Sequence, residues 1–142
     1  MKRKSILLFS LLFWSPLLGV AQSEPLELQV TIHKIPKTLG TLRVALYNHK
    51  TEFLGDDRLA GKSVVAVGNS QQLTFSKLPP GDYGVAVFLD ENTNEDLDTN
   101  FFGIPEEPYG FSNDAFSLTG PPSFEQARFN LSENKTIEIN LR

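Results

Sequence analysis

Residues 90–100 read Asp90-Glu91-Asn92-Thr93-Asn94-Glu95-Asp96-Leu97-Asp98-Thr99-Asn100, so an oxygen-bearing side chain recurs at every second position from Asp90 to Asp98. Loops that wrap a hard cation use this spacing: side chains at positions 1, 3 and 5, a carbonyl at 7 and a further oxygen at 9 supply the shell. Asp90, Asn92, Asn94, Asp96 and Asp98 fill those positions and are the expected metal ligands. Position 6, where glycine allows the sharp turn, is Glu95, and position 12, where a bidentate glutamate closes a helix-loop-helix site, is Phe101. Asn100, Glu106, Glu107 and Asp114 are the oxygens within reach to complete the shell. An all-oxygen set without Cys or clustered His favours Ca²⁺, with Mg²⁺ behind it, over zinc or copper. The plain alternative is a solvated turn in which Asn and Asp tolerate unusual backbone angles.

The surrounding charge is one-sided. No Lys or Arg lies between Lys77 and Arg128, an interval holding ten acids, Asp82, Asp90, Glu91, Glu95, Asp96, Asp98, Glu106, Glu107, Asp114 and Glu125. Such a cluster repels itself unless a cation offsets it. Signals for catalysis are weak beside this one. His33 and His49 stand in no order with Ser112 and an acid that suggests a hydrolase triad. Glu106 and Glu107 are a carboxylate pair of the kind glycosidases use, but adjacent residues beside a proline rarely face each other. No glycine-rich phosphate loop leads from a strand into a helix.

The aromatics after the acidic segment are the second candidate. Phe101, Phe102, Tyr109 and Phe111 follow it too closely for all to reach a main core. Either they seat the loop as a satellite core, or Phe101, Tyr109 and Phe111 present a stacking surface to sugar or peptide.

The elements that must position these residues are strands. Leu26, Leu28, Val30 and Ile32 alternate with polar residues; so do Leu42, Val44 and Leu46, then Leu73 and Phe75, then Tyr83, Val85, Val87 and Leu89. Val64 to Val67 is a short β-branched run, and Ala127 to Leu131 and Ile137 to Leu141 add two more strands. Pro36, Gly40, Gly68-Asn69, Pro79-Pro80-Gly81 and Glu133-Asn134 punctuate them. The pattern predicts an all-β fold: an antiparallel Greek-key sandwich of about seven strands, immunoglobulin-like or prealbumin-like. Gly81-Asp82-Tyr83 entering a strand fits a tyrosine corner, the phenol reaching back to the connecting backbone. Residues 90–123 have no sustained period and carry many Gly and Pro. Their aromatics predict an ordered excursion between strands that are neighbours in the core.

Residues 1–21 read as a secretory signal: Lys2-Arg3-Lys4, the apolar Ile6 to Leu18, then Gly19-Val20-Ala21. The apolar run is short for a membrane span, which needs about 20 residues. One domain, 22–142, is then expected in the periplasm or outside the cell. It has ten bases against seventeen acids and no Cys. That balance disfavours nucleic acid or an anionic membrane as partner, and a disulfide-free exported domain depends on its core, with metal as the one further support.

Several segments taken together resemble a known family. Phe88-Leu89-Asp90-Glu91-Asn92, Leu97-Asp98-Thr99-Asn100, Gly103-Ile104-Pro105, Tyr109-Gly110-Phe111-Ser112-Asn113 and Gly120-Pro121-Pro122-Ser123-Phe124 fall in the order of the bacterial exported proteins grouped as domain of unknown function 2141. Gly40 to Tyr47 and Leu78 to Tyr83 are similar to that family as well. Its pattern has Asn-Gly where this chain has Asn94-Glu95, and Gly in place of Pro108. The resemblance implies a small exported β-sandwich and supplies no activity. The expectation is therefore a non-enzymatic exported protein with a structural calcium loop and a ligand-presenting surface for an envelope or extracellular ligand. Two other classes stand against it: an enzyme acting on envelope carbohydrate or peptide through loop carboxylates, and an assembly module using free strand edges.

Overall fold

The computed structural model describes residues 24–36 and 39–142. The expected signal, 1–21, lies outside the described residues. Among the described residues, eight strands form two sheets: β1 (Leu26–His33), β2 (Thr41–Tyr47), β3 (Ala60–Val65), β4 (Ser70–Leu78), β5 (Gly81–Asp90), β6 (Tyr109–Phe111), β7 (Phe129–Leu131) and β8 (Lys135–Asn140). One sheet has the order β4-β1-β8. The other runs β3-β2-β5-β6, with β7 also on β5.

The alternation read from the sequence is the burial pattern observed. Leu28, Val30 and Ile32 of β1, Leu42, Val44 and Leu46 of β2, and Val85, Val87 and Leu89 of β5 all point into one core. Leu73 and Phe75 of β4 and Ile139 of β8 complete it. Tyr83 is buried and its hydroxyl donates to the Pro79 carbonyl at 2.7 Å, as a tyrosine corner requires.

Three features differ from the expectation. β1 pairs with β8 in parallel, so the sheets are not wholly antiparallel; side-chain alternation is the same in either direction and does not encode it. β3 begins at Ala60 rather than Val64, because Ala60, Gly61, Lys62 and Ser63 hydrogen-bond to β2 without contributing apolar period. β6 is an eighth strand inside the excursion, three residues long and too short to show a period.

The excursion leaves and returns as predicted. β7 pairs with the start of β5, Gly81 opposite Leu131 and Tyr83 opposite Phe129, and β6 pairs further along the same edge, Ala86 opposite Phe111. The gap between them is closed by Ser112, fully buried, whose Oγ accepts from the Val85 N–H at 2.9 Å and donates to the Ala127 carbonyl at 2.6 Å. Gly110 lets β6 lie directly on β8: a Cβ there would meet Ile139 Cγ2 at 2.7 Å and the Asn140 carbonyl at 2.9 Å. One helical turn, α1 (Phe124–Ala127), precedes β7, with Gln126 Oε1 accepting from the Ser123 N–H. No helix among the described residues is long and apolar enough to cross a membrane.

Candidate functional site

The acidic loop is tied into shape from both ends. Asp90, the last residue of β5, has its side chain fully buried. Its Oδ1 accepts from the Thr93 N–H at 2.7 Å. Its Oδ2 accepts from the Glu95 N–H at 3.1 Å and from Arg43 Nε at 2.9 Å, with Arg43 Nη2 at 2.8 Å. Arg43 Nη1 also meets Glu95 Oε1 at 3.1 Å. The counter-cation that the acid-rich interval lacks therefore comes from β2, where Arg43 stands opposite Phe88 in register. Burial pushes the Asp90 carboxyl up, but the hydrogen bonds from Arg43, Glu95 and Thr93 and the Arg43 charge outweigh it, and it lies below the ordinary carboxylate range. Arg43 is raised, first by its bond to Asp90.

Glu107 closes the loop from the far side. It is buried, and its two oxygens accept from the Glu91 N–H at 2.8 Å and the Asp98 N–H at 3.1 Å. Within the loop, Asn92 Nδ2 donates to Asp98 Oδ2 at 2.6 Å and Asn94 Nδ2 to Asp98 Oδ1 at 3.0 Å. The Asn92 and Asn94 side-chain oxygens accept from the N–H groups of Asn94 and Asp96. Of the five expected ligands, Asn92, Asn94 and Asp98 are in mutual contact, Asp90 sits on Arg43, and Asp96 is exposed, joining through its main chain only. Glu95 adopts φ 73°, the left-handed conformation that glycine enters most easily. Among the described residues, no group of three or more His, Cys, Asp or Glu side chains is arranged to hold a metal ion.

Beyond Asp98 the chain doubles back. Thr99 bridges Pro105, the Glu106 N–H donates to the Asp98 carbonyl, and Asn100 Oδ1 accepts from the Phe102 and Ile104 N–H groups. Phe101 and Phe102 stand at the tip, 97% and 82% exposed, edge to face with each other. Tyr109 and Phe111 do something else. Phe111 is buried with Ala115 and Ala127, and Phe53, Ala86 and half-buried Tyr109 pack on it. The four aromatics therefore divide: the first two are surface, the last two satellite core.

The hydroxyl and imidazole groups do not assemble. Ser112 bonds to the main chain of Val85 and Ala127. His33 Nδ1 lies 3.0 Å from Ser70 Oγ, and His49 Nδ1 3.4 Å from Thr51 Oγ1. Asp114 is likewise structural, its two oxygens accepting from the Asn140 N–H and Nδ2. Glu106 is exposed while Glu107 is the buried clamp, so the two carboxylates differ in surroundings.

A groove of about 1030 Å³ lies on the outer face of the five-stranded sheet. Its floor is made of small side chains, Ala45, Gly61 and Ala86, which alternate with the core residues of β2, β3 and β5. Leu97, Phe102 and Ile104 of the acidic loop and its hairpin wall one side, and residues 116–122 wall another. Ile104, Phe116 and Leu118 along it are 58%, 52% and 90% exposed, so large apolar side chains gather on one face instead of lying scattered singly. Arg142 stacks over Phe116 at 5.2 Å and steadies that wall. The alternation of β2 and β5 implied such an outer face; what the sequence did not reveal is that two loops fold over it.

The family model described as "Uncharacterized protein conserved in bacteria (DUF2141)" matches residues 30–140. Among curated proteins and solved structures, none matches the chain.

Proposed function

The chain belongs to that uncharacterised bacterial family, and from this premise we propose that it is an exported, non-enzymatic binding module that presents the outer face of its five-stranded sheet to a ligand of the cell envelope or its surroundings. The observation that carries this reading is the groove: a floor of small residues between loops that hold large apolar side chains in solvent. Residues 1–21 have the pattern of a secretory signal, which supports the periplasm or the exterior as its place. The two-sheet arrangement with the Tyr83–Pro79 bond supports an immunoglobulin-like or prealbumin-like Greek-key sandwich as the finer class. Ser112 and Glu107 serve main-chain hydrogen bonds, which speaks against the hydrolytic alternative.

The immobilised protein is expected to retain an envelope component that a Phe102→Ser, Leu118→Ser variant releases. Both side chains are exposed, so the melting temperature should stay where it is. Equal retention by the variant would refute the groove as the binding surface.

A second reading concerns the loop. Asp90, Asn92 and Asn94 hold main-chain N–H groups two to five residues ahead, and Glu95 takes the backbone conformation of the glycine expected at position 6. This favours a loop that takes up Ca²⁺ through Asp90, Asn92, Asn94, the Asp96 carbonyl and Asp98, the amide bonds to Asp98 giving way to the cation. Affinity on the order of 0.1–1 mM suits a loop without the bidentate glutamate. Millimolar Ca²⁺ should raise the melting temperature over that in chelator, and Asp98→Ala should remove most of the gain. An unchanged wild-type melting curve would sink the calcium reading.

A further inference from the structure

The floor of the groove is a row of small side chains running across the strands. Ala45 of β2 stands opposite Gly61 of β3 and Ala86 of β5, and Ala86 stands opposite Phe111 of β6. Residues directly opposite share a face, so the row passes from Gly61 on the edge strand to the buried ring of Phe111. It spans three interstrand spacings, roughly 14 Å. Two residues along the strands, on the same face, larger groups stand on either side of it. Arg43 and Phe88, paired in register, form one flank. Tyr47 forms the other, opposite Gly84, a site that Phe53 and Phe124 cover. The trough is therefore one side chain wide. Its charge is simple. Arg43 is engaged by Asp90 and Glu95, and Lys62 Nζ lies 5.6 Å from the ring centroid of Phe75 in the other sheet. Arg58 forms no ion pair among the described residues. It lies at the Gly61 end of the row, where a Cβ on that glycine would come within 2.7 Å of its Nε.

Tyr47 and Leu54 line the groove together with Phe102 and Leu118, so apolar surface surrounds the one free cation. A narrow slot with a single cation at one end matches a ligand with one anionic group and an unbranched apolar body. A polypeptide matches it poorly on two counts. Its side chains leave to both sides and need more width than one row offers. Its main-chain groups need partners, and the main chain of β2 and β5 beneath the groove is taken up by ladders on both sides. A hydrocarbon makes neither demand. We propose that the groove holds a long-chain fatty acid, its carboxylate on the Arg58 guanidinium and its hydrocarbon laid across Gly61, Ala45 and Ala86 toward Phe111. A guanidinium takes a carboxylate by two parallel hydrogen bonds. The volume, about 1030 Å³, stands at the upper end of small-molecule sites. This assignment rests on the groove being the ligand surface and names the class of its ligand.

The test is isothermal titration calorimetry of the purified protein with straight-chain carboxylates from butyrate to laurate, each below its micellar concentration. Affinity should rise by up to about fourfold for each added methylene and level off once the tail reaches Phe111. Dodecyltrimethylammonium, with the same tail and the opposite charge, should bind on the order of tenfold more weakly than laurate. Arg58→Gln should weaken laurate by about tenfold, the loss of one charge-assisted pair. Ala45→Leu puts a branched side chain into the trough and should abolish the dependence on chain length. Arg58 is exposed, so its variant keeps the fold and decides the question alone if Ala45→Leu does not melt as wild type does. If laurate binds no better than butyrate, or binds wild type and Arg58→Gln alike, the fatty-acid assignment is overturned. Equal binding of laurate and dodecyltrimethylammonium overturns it as well. A peptide of alternating Glu and Phe that displaces laurate and binds more tightly overturns it in favour of a polypeptide. In each of these cases an envelope component held by wild type and released by the Phe102→Ser, Leu118→Ser variant leaves the groove reading standing. If that component too is held equally by both proteins, the groove reading falls with the assignment.

Discussion

Phe111→Ala is expected to destabilise the protein by about 3–5 kcal/mol in urea unfolding, the usual cost of emptying a buried aromatic site. Phe111 is buried on the outer side of the five-stranded sheet, away from the main core, with Phe53 and Tyr109 at centroid distances of 6.4 Å and 5.9 Å. Phe53 in turn meets Tyr47 at 5.3 Å and Phe124 at 5.6 Å. The chain of rings ties the 49–55 turn, β6 and α1 to the sheet, so a cavity there has few ways to collapse. Phe101→Ala, at a side chain 97% exposed, should stay within about 0.5 kcal/mol of wild type. The contrast between two phenylalanines ten positions apart is the measurement: equal costs would mean that the satellite core is not what seats the excursion. Tyr109→Ala should fall between them, since that ring is half-buried.

The same contrast marks how far residue patterns carried. β1, β2, β4 and β5 were legible because each buries one face, and burial of one face imposes a period of two on apolar residues. The excursion was legible as ordered from its aromatic content, and its flanking strands do pair. Which aromatics seat it was not legible, because Phe101 and Phe111 differ only in what the hairpin at Asn100 and the strand at Tyr109 do with them. Ser123 and Gln126, spaced as a helix start, were a signal for α1 that the overriding strand pattern masked. Arg43 was beyond reach for another reason. It stands 47 residues from Asp90, and the two meet only through the register of β2 on β5, which the local acid count cannot contain. Spacing nominates Asp90 as a ligand; that it also lies buried against the Arg43 guanidinium is tertiary information.

That pairing sets the second large effect. Asp90→Ala is expected to lower the melting temperature more than alanine at any other acid of residues 90–98. The substitution leaves the Arg43 guanidinium partly buried without its main partner and frees the Thr93 and Glu95 N–H groups at once. Asp98→Ala instead removes an acceptor from two exposed side-chain amides that water can serve. The pH dependence has a definite sign. The folded Asp90 carboxyl titrates below its ordinary value of 3.8, so on acidification the unfolded chain takes up the proton first. The contribution of Asp90 is then present in full above the ordinary carboxylate range and is lost as pH falls through the lower folded value. Wild-type stability should decline below about pH 4, and the difference between wild type and Asp90→Asn should shrink over the same interval. Half-buried Asp82, lowered by bonds from Asn130 and Arg128, titrates in the same direction in both proteins and cancels from that difference. A wild-type-minus-variant stability difference that stays constant from neutral pH down into the acid range would show that the Arg43–Asp90 pair does not hold the loop, and would return the role of counter-cation to a bound metal.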